Sequence, residues 1–188
     1  MKIGVMGARG SFSEQAGEQY RLQQSLKEAT IEPLVTAESV LDALSEGGID
    51  VGIMPIENSN GGIVIEAVYA MARHRFEVQS MFEYDVHHML LVRPGVNASL
   101  IDTIVSHDQA LKQCRMYVRR RWAGAEVQPY ADTAQAAADL GEGKLSETTA
   151  VIAPRRCAEL YGLEILEESI QDLKFNYTTF LVAVRPSS

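Results

Sequence analysis

The first third of the chain repeats one pattern: a short β-prone run, a turn of small or polar residues, then apolar residues at helical spacing. Lys2–Met6 ends at Gly7, and Ser11-Phe12-Ser13-Glu14 supplies a capping box for a helix running to about Gln24. Ile31–Val35 is followed by Thr36 as N-cap and by Ala37, Val40, Leu41 and Leu44, with Gly47-Gly48 as the stop. Val51–Ile56 leads through Glu57-Asn58-Ser59-Asn60-Gly61-Gly62 into a helix whose apolar face includes Val64, Val68 and Met71. A βαβαβα order favours a mainly parallel sheet covered by helices, and such sheets bind ligands where strand carboxyl ends meet helix amino ends.

From Phe76 to Val92 the period changes to two, with Val78, Phe82, Tyr84, Val86, His88 and Leu90 on one face, which reads as a crossing between lobes. Beyond Arg93-Pro94-Gly95 the βα rhythm resumes. It gives strand Thr103–Val105, a helix from Asp108 to about Arg121, strand Glu126–Tyr130 and a helix from Thr133. Strand Ala150–Ala153 precedes Pro154 at a helix start, with Gly162 as the C-cap. After Ile165 and Leu166, an alternating strand, Thr178–Val184, is expected to return to the first lobe. The expected fold is α/β with two lobes, 1–75 plus 167–188 and 76–166, and a ligand cleft between them.

Composition narrows the function classes. The 188 residues are 46% hydrophobic and 22% charged, an ordinary globular balance. A net charge of -8 excludes a nucleic-acid backbone as partner, and the run Arg119-Arg120-Arg121 reads as a solvated helix face. MKIGVMG is too short for a secretory signal and no run approaches the roughly 20 apolar residues of a membrane span, so a cytoplasmic protein without a membrane partner is expected. Cys114 and Cys157 fit neither a disulfide framework nor a zinc spacing and read as buried apolar groups.

Three loops share one design, a small or hydroxyl-bearing residue between a strand and a helix: GARGSFS at 7–13, PIENSNGG at 55–62 and SHDQAL at 106–111. Helix amino ends carry unpaired N–H groups and about half a positive charge, so they hold carboxylates without Lys or Arg. Ser11, Ser106 and Thr133 each also fit a plain N-cap role. The polar run from Glu57 to Gly62 has more polar groups than one cap requires, which points to a ligand site.

With GARGSFS, ESVLDALSEGGIDVGIMPIENS, the strand His88-Met89-Leu90-Leu91, VSHDQALKQC, DTAQAA and AVIAPRRCAELYGLEILEESIQDLKFNYTTF in order, nearly the whole chain resembles the prephenate dehydratase family. The combination of PIENS, SH-x-QAL-x-QC and N-x-T-x-F carries the resemblance. It implies two α/β lobes similar to the periplasmic-binding-protein type II fold, a homodimer, and neither cofactor nor metal. The implied reaction converts prephenate to phenylpyruvate with loss of carbon dioxide and water, a lyase step of phenylalanine biosynthesis. Thr178 matches the family's catalytic threonine, whose hydroxyl assists the leaving hydroxyl by alignment and hydrogen bonding in a dry site. By the same match Ser11, Phe12, Ser13, Asn58, Ser59, Ser106, Gln109, Thr133, Asn176 and Phe180 are the expected substrate-binding residues. His88 and His107 rank below them.

The sequence departs from the family at one conspicuous position. The usual ending T-R-F is Thr178-Thr179-Phe180, and a threonine cannot reproduce the fork that pairs an arginine with a carboxylate. Arg9, Arg155 and Arg156 are candidate substitutes for that charge. Ala8 and Gly61 replace a proline and an acidic residue common in the family's loops. The sequence ends at Ser188, soon after Phe180, so a phenylalanine-sensing ACT domain and feedback by phenylalanine are not expected. The alternatives are arogenate as substrate, decarboxylation without dehydration, or a non-catalytic sensor of a small carboxylate.

Overall fold

A computed structural model describes residues 1–186 of the chain. Contacts divide it into unit 1, Met1–Val86 with the segment from Tyr177 onward, and unit 2, His87–Asn176. The chain therefore passes between units at 86/87 and 176/177, later at both points than the 75/76 and 166/167 boundaries read from the sequence.

Unit 1 contains β1 (Lys2–Val5), α1 (Phe12–Gln23), β2 (Thr30–Pro33), α2 (Ala37–Glu46), β3 (Val51–Asn58), β4 (Gly62–Ile63), α3 (Ile65–Met71), β5 (Glu77–Asp85) and the last strand, β11 (Tyr177–Val184). The helix starts follow the sequence. Ser11 Oγ accepts the Glu14 N–H at 3.2 Å, and Glu14 answers by accepting the Gly10 N–H at 2.6 Å. Thr36 caps α2, and Gly47 ends it in the left-handed conformation at φ 79°. The sheet order is β2-β1-β3-β11-β5, with β1 parallel to β2 and β3, and β11 antiparallel to both neighbours.

Period-two alternation splits β11 between two cores. Phe180 and Val182 pack with Ala16 and Tyr20 of α1, whereas Leu181 and Ala183 pack with α2 and α3. The buried face of α3 is Ala67 and Ala70; Val68, expected inside, is exposed. Between Thr179 and Phe180 the β11–β3 register skips one residue of β3, so Thr179 opposes Glu57 while Phe180 opposes Pro55. A proline lacks the N–H for a ladder bond, and such a bulge accommodates it inside the strand.

Unit 2 contains β6 (Met89–Val92), β7 (Thr103–His107), α4 (Asp108–Gln113), α5 (Arg115–Arg121), β8 (Glu126–Tyr130), α6 (Thr133–Gly141), β9 (Thr149–Ala153), α7 (Arg155–Tyr161) and β10 (Glu164–Glu167). Its sheet runs β10-β6-β9-β7-β8, parallel at β8-β7-β9 and antiparallel at β9-β6-β10. Two sequence expectations change here. The single helix from Asp108 to Arg121 is broken at Cys114, because Asp172 caps a new helix start by accepting the Met116 and Tyr117 N–H groups, each at 2.8 Å. The long strand Phe76–Val92 is β5 and β6, one in each unit.

Both cysteines are free and buried, as read from the sequence. Among the described residues no helix is long and apolar enough to cross a membrane.

Candidate active site

In unit 1 the carboxyl end of β3 meets the start of β11, and Asn58, Ser59 and Thr178 come together there. Thr178 pairs with Asn58 on one side and with Tyr84 of β5 on the other. Asn58 Oδ1 accepts the N–H groups of Asn60 (3.0 Å) and Gly61 (2.8 Å), so its amide nitrogen is turned toward β11. There Nδ2 donates to the Tyr177 carbonyl at 3.2 Å and to Thr178 Oγ1 at 2.9 Å. Ser59 clamps the same strand: its N–H donates to the Tyr177 carbonyl at 2.8 Å, and its Oγ accepts the Tyr177 N–H at 3.0 Å. Thr178 is thus a buried hydroxyl held as an acceptor, with its own proton directed elsewhere.

The same sheet face carries α1, whose Ala16 and Tyr20 pack on Phe180 and Val182. Ser11 and Ser13, at the amino end of that helix, are both buried, and Phe12 is its first residue. Gly7 is required beside them, since a Cβ there would lie 2.4 Å from Ser11 Oγ. Tyr84 donates to Gln15 Oε1 at 3.3 Å, and burial together with the neighbouring Asp85 carboxylate pushes its phenol above the usual tyrosine value. Phe180 is 1% exposed and stacks on Phe82 with ring centroids 5.7 Å apart, so its contacts are those of a core residue.

Thr179 points the other way. Its hydroxyl donates to Glu57 Oε2 at 3.3 Å, and by strand alternation both lie on the face carrying Leu181 and Ala183. An arginine at this position would meet Glu57 and not the Thr178 side of the sheet. Two of the candidate substitutes are ion-paired on the surface of unit 2, Arg155 with Glu168 and Arg156 with Glu159; Arg9 is exposed.

Unit 2 holds the other candidates, and the structure reassigns several. Ser106 is fully buried and donates to the Ile152 carbonyl at 2.6 Å, tying β7 to β9 instead of capping a helix. The cap of α4 is His107, whose Nδ1 accepts the Gln109 N–H at 3.2 Å. Gln109 itself is half-buried on the first turn. Thr133 is the first residue of α6, and its neighbour Asp132 does the capping, accepting the N–H groups of Ala134 and Gln135. Asn176, with no exposed surface, donates to Gln113 Oε1 at 2.9 Å, and His88 Nε2 meets the same oxygen at 2.7 Å. Because that oxygen only accepts, His88 carries its proton on Nε2. Burial holds its pKa below the ordinary 6.5, so it is a neutral donor at pH 7.

Gln113 is the residue that sequence reasoning missed. It stands in the quoted VSHDQALKQC, but nothing in the segment shows that its amide joins the two chain passages at His88 and Asn176. The groove lined by Tyr117, Arg120, Arg121, Glu167 and Ser169 contains none of the expected site residues.

The family described as prephenate dehydratase matches residues 3–188. The chain is 33% identical over 186 residues to arogenate dehydratase 1 of Petunia hybrida, covering 98% of this chain and 42% of the relative. It is 29% identical over 182 residues to the bifunctional chorismate mutase/prephenate dehydratase of Stutzerimonas stutzeri, covering 97% and 48%. The chain thus spans less than half the length of these two relatives. Among solved structures, the prephenate dehydratase of Arthrobacter aurescens in complex with L-Phe superposes with a TM-score of 0.89 at 28% identity, over 100% of this chain and 61% of that one. A periplasmic substrate-binding protein from Coxiella burnetii shares the fold alone, with a TM-score of 0.50 at 14% identity over 98% of this chain and 84% of that one. The two-sheet α/β architecture, the Asn58–Ser59–Thr178 cluster and a family match running through both units lead to one assignment: the chain belongs to the prephenate dehydratase family.

Proposed function

We propose that the protein is a prephenate dehydratase, a lyase of phenylalanine biosynthesis, and that Thr178 is its catalytic hydrogen-bond donor. The observation that carries this reading is the 2.9 Å bond from Asn58 Nδ2 to Thr178 Oγ1. Asn58 occupies a lone pair of the hydroxyl, so the threonine proton is left for the substrate. In prephenate the ring carboxylate leaves as carbon dioxide, and its bonding electrons aromatise the ring as the C–O bond to the hydroxyl breaks. Thr178 donates a hydrogen bond to the departing oxygen, which leaves as water after drawing a proton from solvent. A threonine hydroxyl does not titrate near neutral pH, so its contribution is alignment and charge stabilisation.

In this reading Ser11, Phe12 and Ser13 offer the amino end of α1 to a substrate carboxylate, with its partial positive charge in place of a cationic side chain. Ser59 holds the strand that carries Thr178. The family reading also carries a cytoplasmic homodimer working without cofactor, tested by light scattering after size exclusion and by assay after exhaustive dialysis.

A second substrate has a specific observation behind it: the 33% identical relative is named an arogenate dehydratase. Purified protein is therefore to be incubated with prephenate and, separately, with arogenate. Phenylpyruvate is read by its absorbance in alkali and phenylalanine by chromatography, with Thr178→Ala as control. Turnover of either acid that vanishes in the variant supports the dehydratase and names the substrate. Carbon dioxide release without an aromatic product, or saturable binding of both acids without turnover, would replace this reading with the decarboxylase or the sensor.

A further inference from the structure

We propose that Glu38, Asp42 and His74 form a binding site for a divalent transition-metal ion of the zinc class, on the helical layer of unit 1 and separate from the Thr178 cluster. Glu38 and Asp42 stand four residues apart on α2, so their carboxylates share one helix face. His74, two residues beyond the Ala72 cap of α3, brings its ring over that face. One potential ligand atom from each of the three side chains lies within 4.8 Å of the others.

The imidazole distinguishes this cluster from a patch of surface acids. His74 is 13% exposed, and its Nδ1 is 2.9 Å from the Ala70 carbonyl, a contact outside the cluster that makes Nδ1 the protonated nitrogen. Such a bond to a backbone carbonyl fixes the tautomer and ring orientation of a metal-binding histidine, leaving Nε2 as the ligand atom. Nε2 lies 2.9 Å from Asp42 Oδ1 and 3.9 Å from Glu38 Oε1. Two donors bound tetrahedrally to one zinc ion at about 2.0–2.1 Å each stand roughly 3.3 Å apart, between those two values. The Glu38 contact is too long for a hydrogen bond, so protonating the histidine satisfies one carboxylate, whereas an ion engages both. Asp42 is 57% exposed, which gives the ion access from solvent and leaves the fourth coordination position to water. Arg73, 3.5 Å from Glu38, is the competing cation, and it is 68% exposed and free to swing away. Imidazole with two carboxylates suits zinc, cobalt and nickel better than magnesium or calcium.

The ion would join α2 to the turn after α3, so binding is read by stoichiometry, spectrum and stability without an activity assay. The intact chain is dialysed against Zn2+ and its metal content measured, and Co2+ is titrated while visible absorption is recorded. Expected are one ion per chain, the d–d bands of a low-coordinate Co2+ site, and a Tm raised by Zn2+. Asp42→Asn and His74→Gln should each weaken binding by roughly tenfold or more and abolish the bands. Both changes are mild, and circular dichroism checks that the variants are folded. Absence of saturable binding, or equal binding and identical bands in the folded variants, overturns the proposal and leaves the cluster a histidine–carboxylate ion pair.

Discussion

Thr179 Oγ1 donates to Glu57 Oε2 across the β11–β3 ladder, on the sheet face opposite Thr178. The family's arginine at this position would therefore meet Glu57. Thr179→Arg is expected to change kcat by less than about twofold and to add about 0.2–1 kcal/mol through the cross-strand pair, read in urea unfolding. A gain in kcat/KM of about tenfold, the size of a charged hydrogen bond to substrate, would show instead that this position reaches the site.

The direction of the Asn58–Thr178 bond is open to a test that truncation cannot supply. Asn58→Asp keeps the size but turns a donor into an acceptor, so the Thr178 proton is drawn toward the carboxylate and away from substrate. A fall in kcat of roughly 10²–10³-fold is expected, the cost of one transition-state donor, with KM little changed. Combining it with Thr178→Ala should cost little more than either change alone. Additive losses would mean that the two residues act independently.

His88 should make stability depend on pH. Its folded pKa lies below the ordinary 6.5, so the unfolded chain binds the proton more readily. The contribution is therefore complete above about pH 6.5 and is lost as pH falls through the folded pKa. The urea midpoint of the wild type should lose ground to that of His88→Gln as pH falls below about 6.5, the comparison cancelling what other groups contribute. An unchanged slope in the variant would place the proton uptake elsewhere.

Phe180 is predicted to matter through packing. Its stack on Phe82, which in turn stacks on Tyr20, joins β11, β5 and α1. Phe180→Ala should destabilise by about 3–5 kcal/mol, and Phe180→Leu by much less. The leucine variant should retain the wild-type KM. A raised KM with unchanged stability would restore Phe180 to the substrate-binding set.

Periodicity and capping chemistry made most of the fold legible in advance. The Ser11 and Thr36 caps, the stop at Gly47 and the αL cap at Gly162 all reflect forces within one turn of chain. The ordered motifs from GARGSFS to NYTTF identified the family for the same reason: each is read within a few residues. Errors of one residue arose where two polar neighbours competed for one cap, as Asp132 did with Thr133 and His107 with Ser106.

Contacts between distant segments were not legible. Asp172 breaks the helix at Cys114 from more than fifty positions away, and Gln113 meets His88 and Asn176 only after the sheet of unit 2 has formed. Asn58 and Thr178 lie 120 positions apart, and only the antiparallel pairing of β11 with β3 brings the Asn58 amide onto the Thr178 hydroxyl. The sequence by itself determined the elements, their order and the family, because propensity, capping and period act locally. Tertiary structure alone decided which polar groups face one another, because strand register and burial are properties of the assembled sheets.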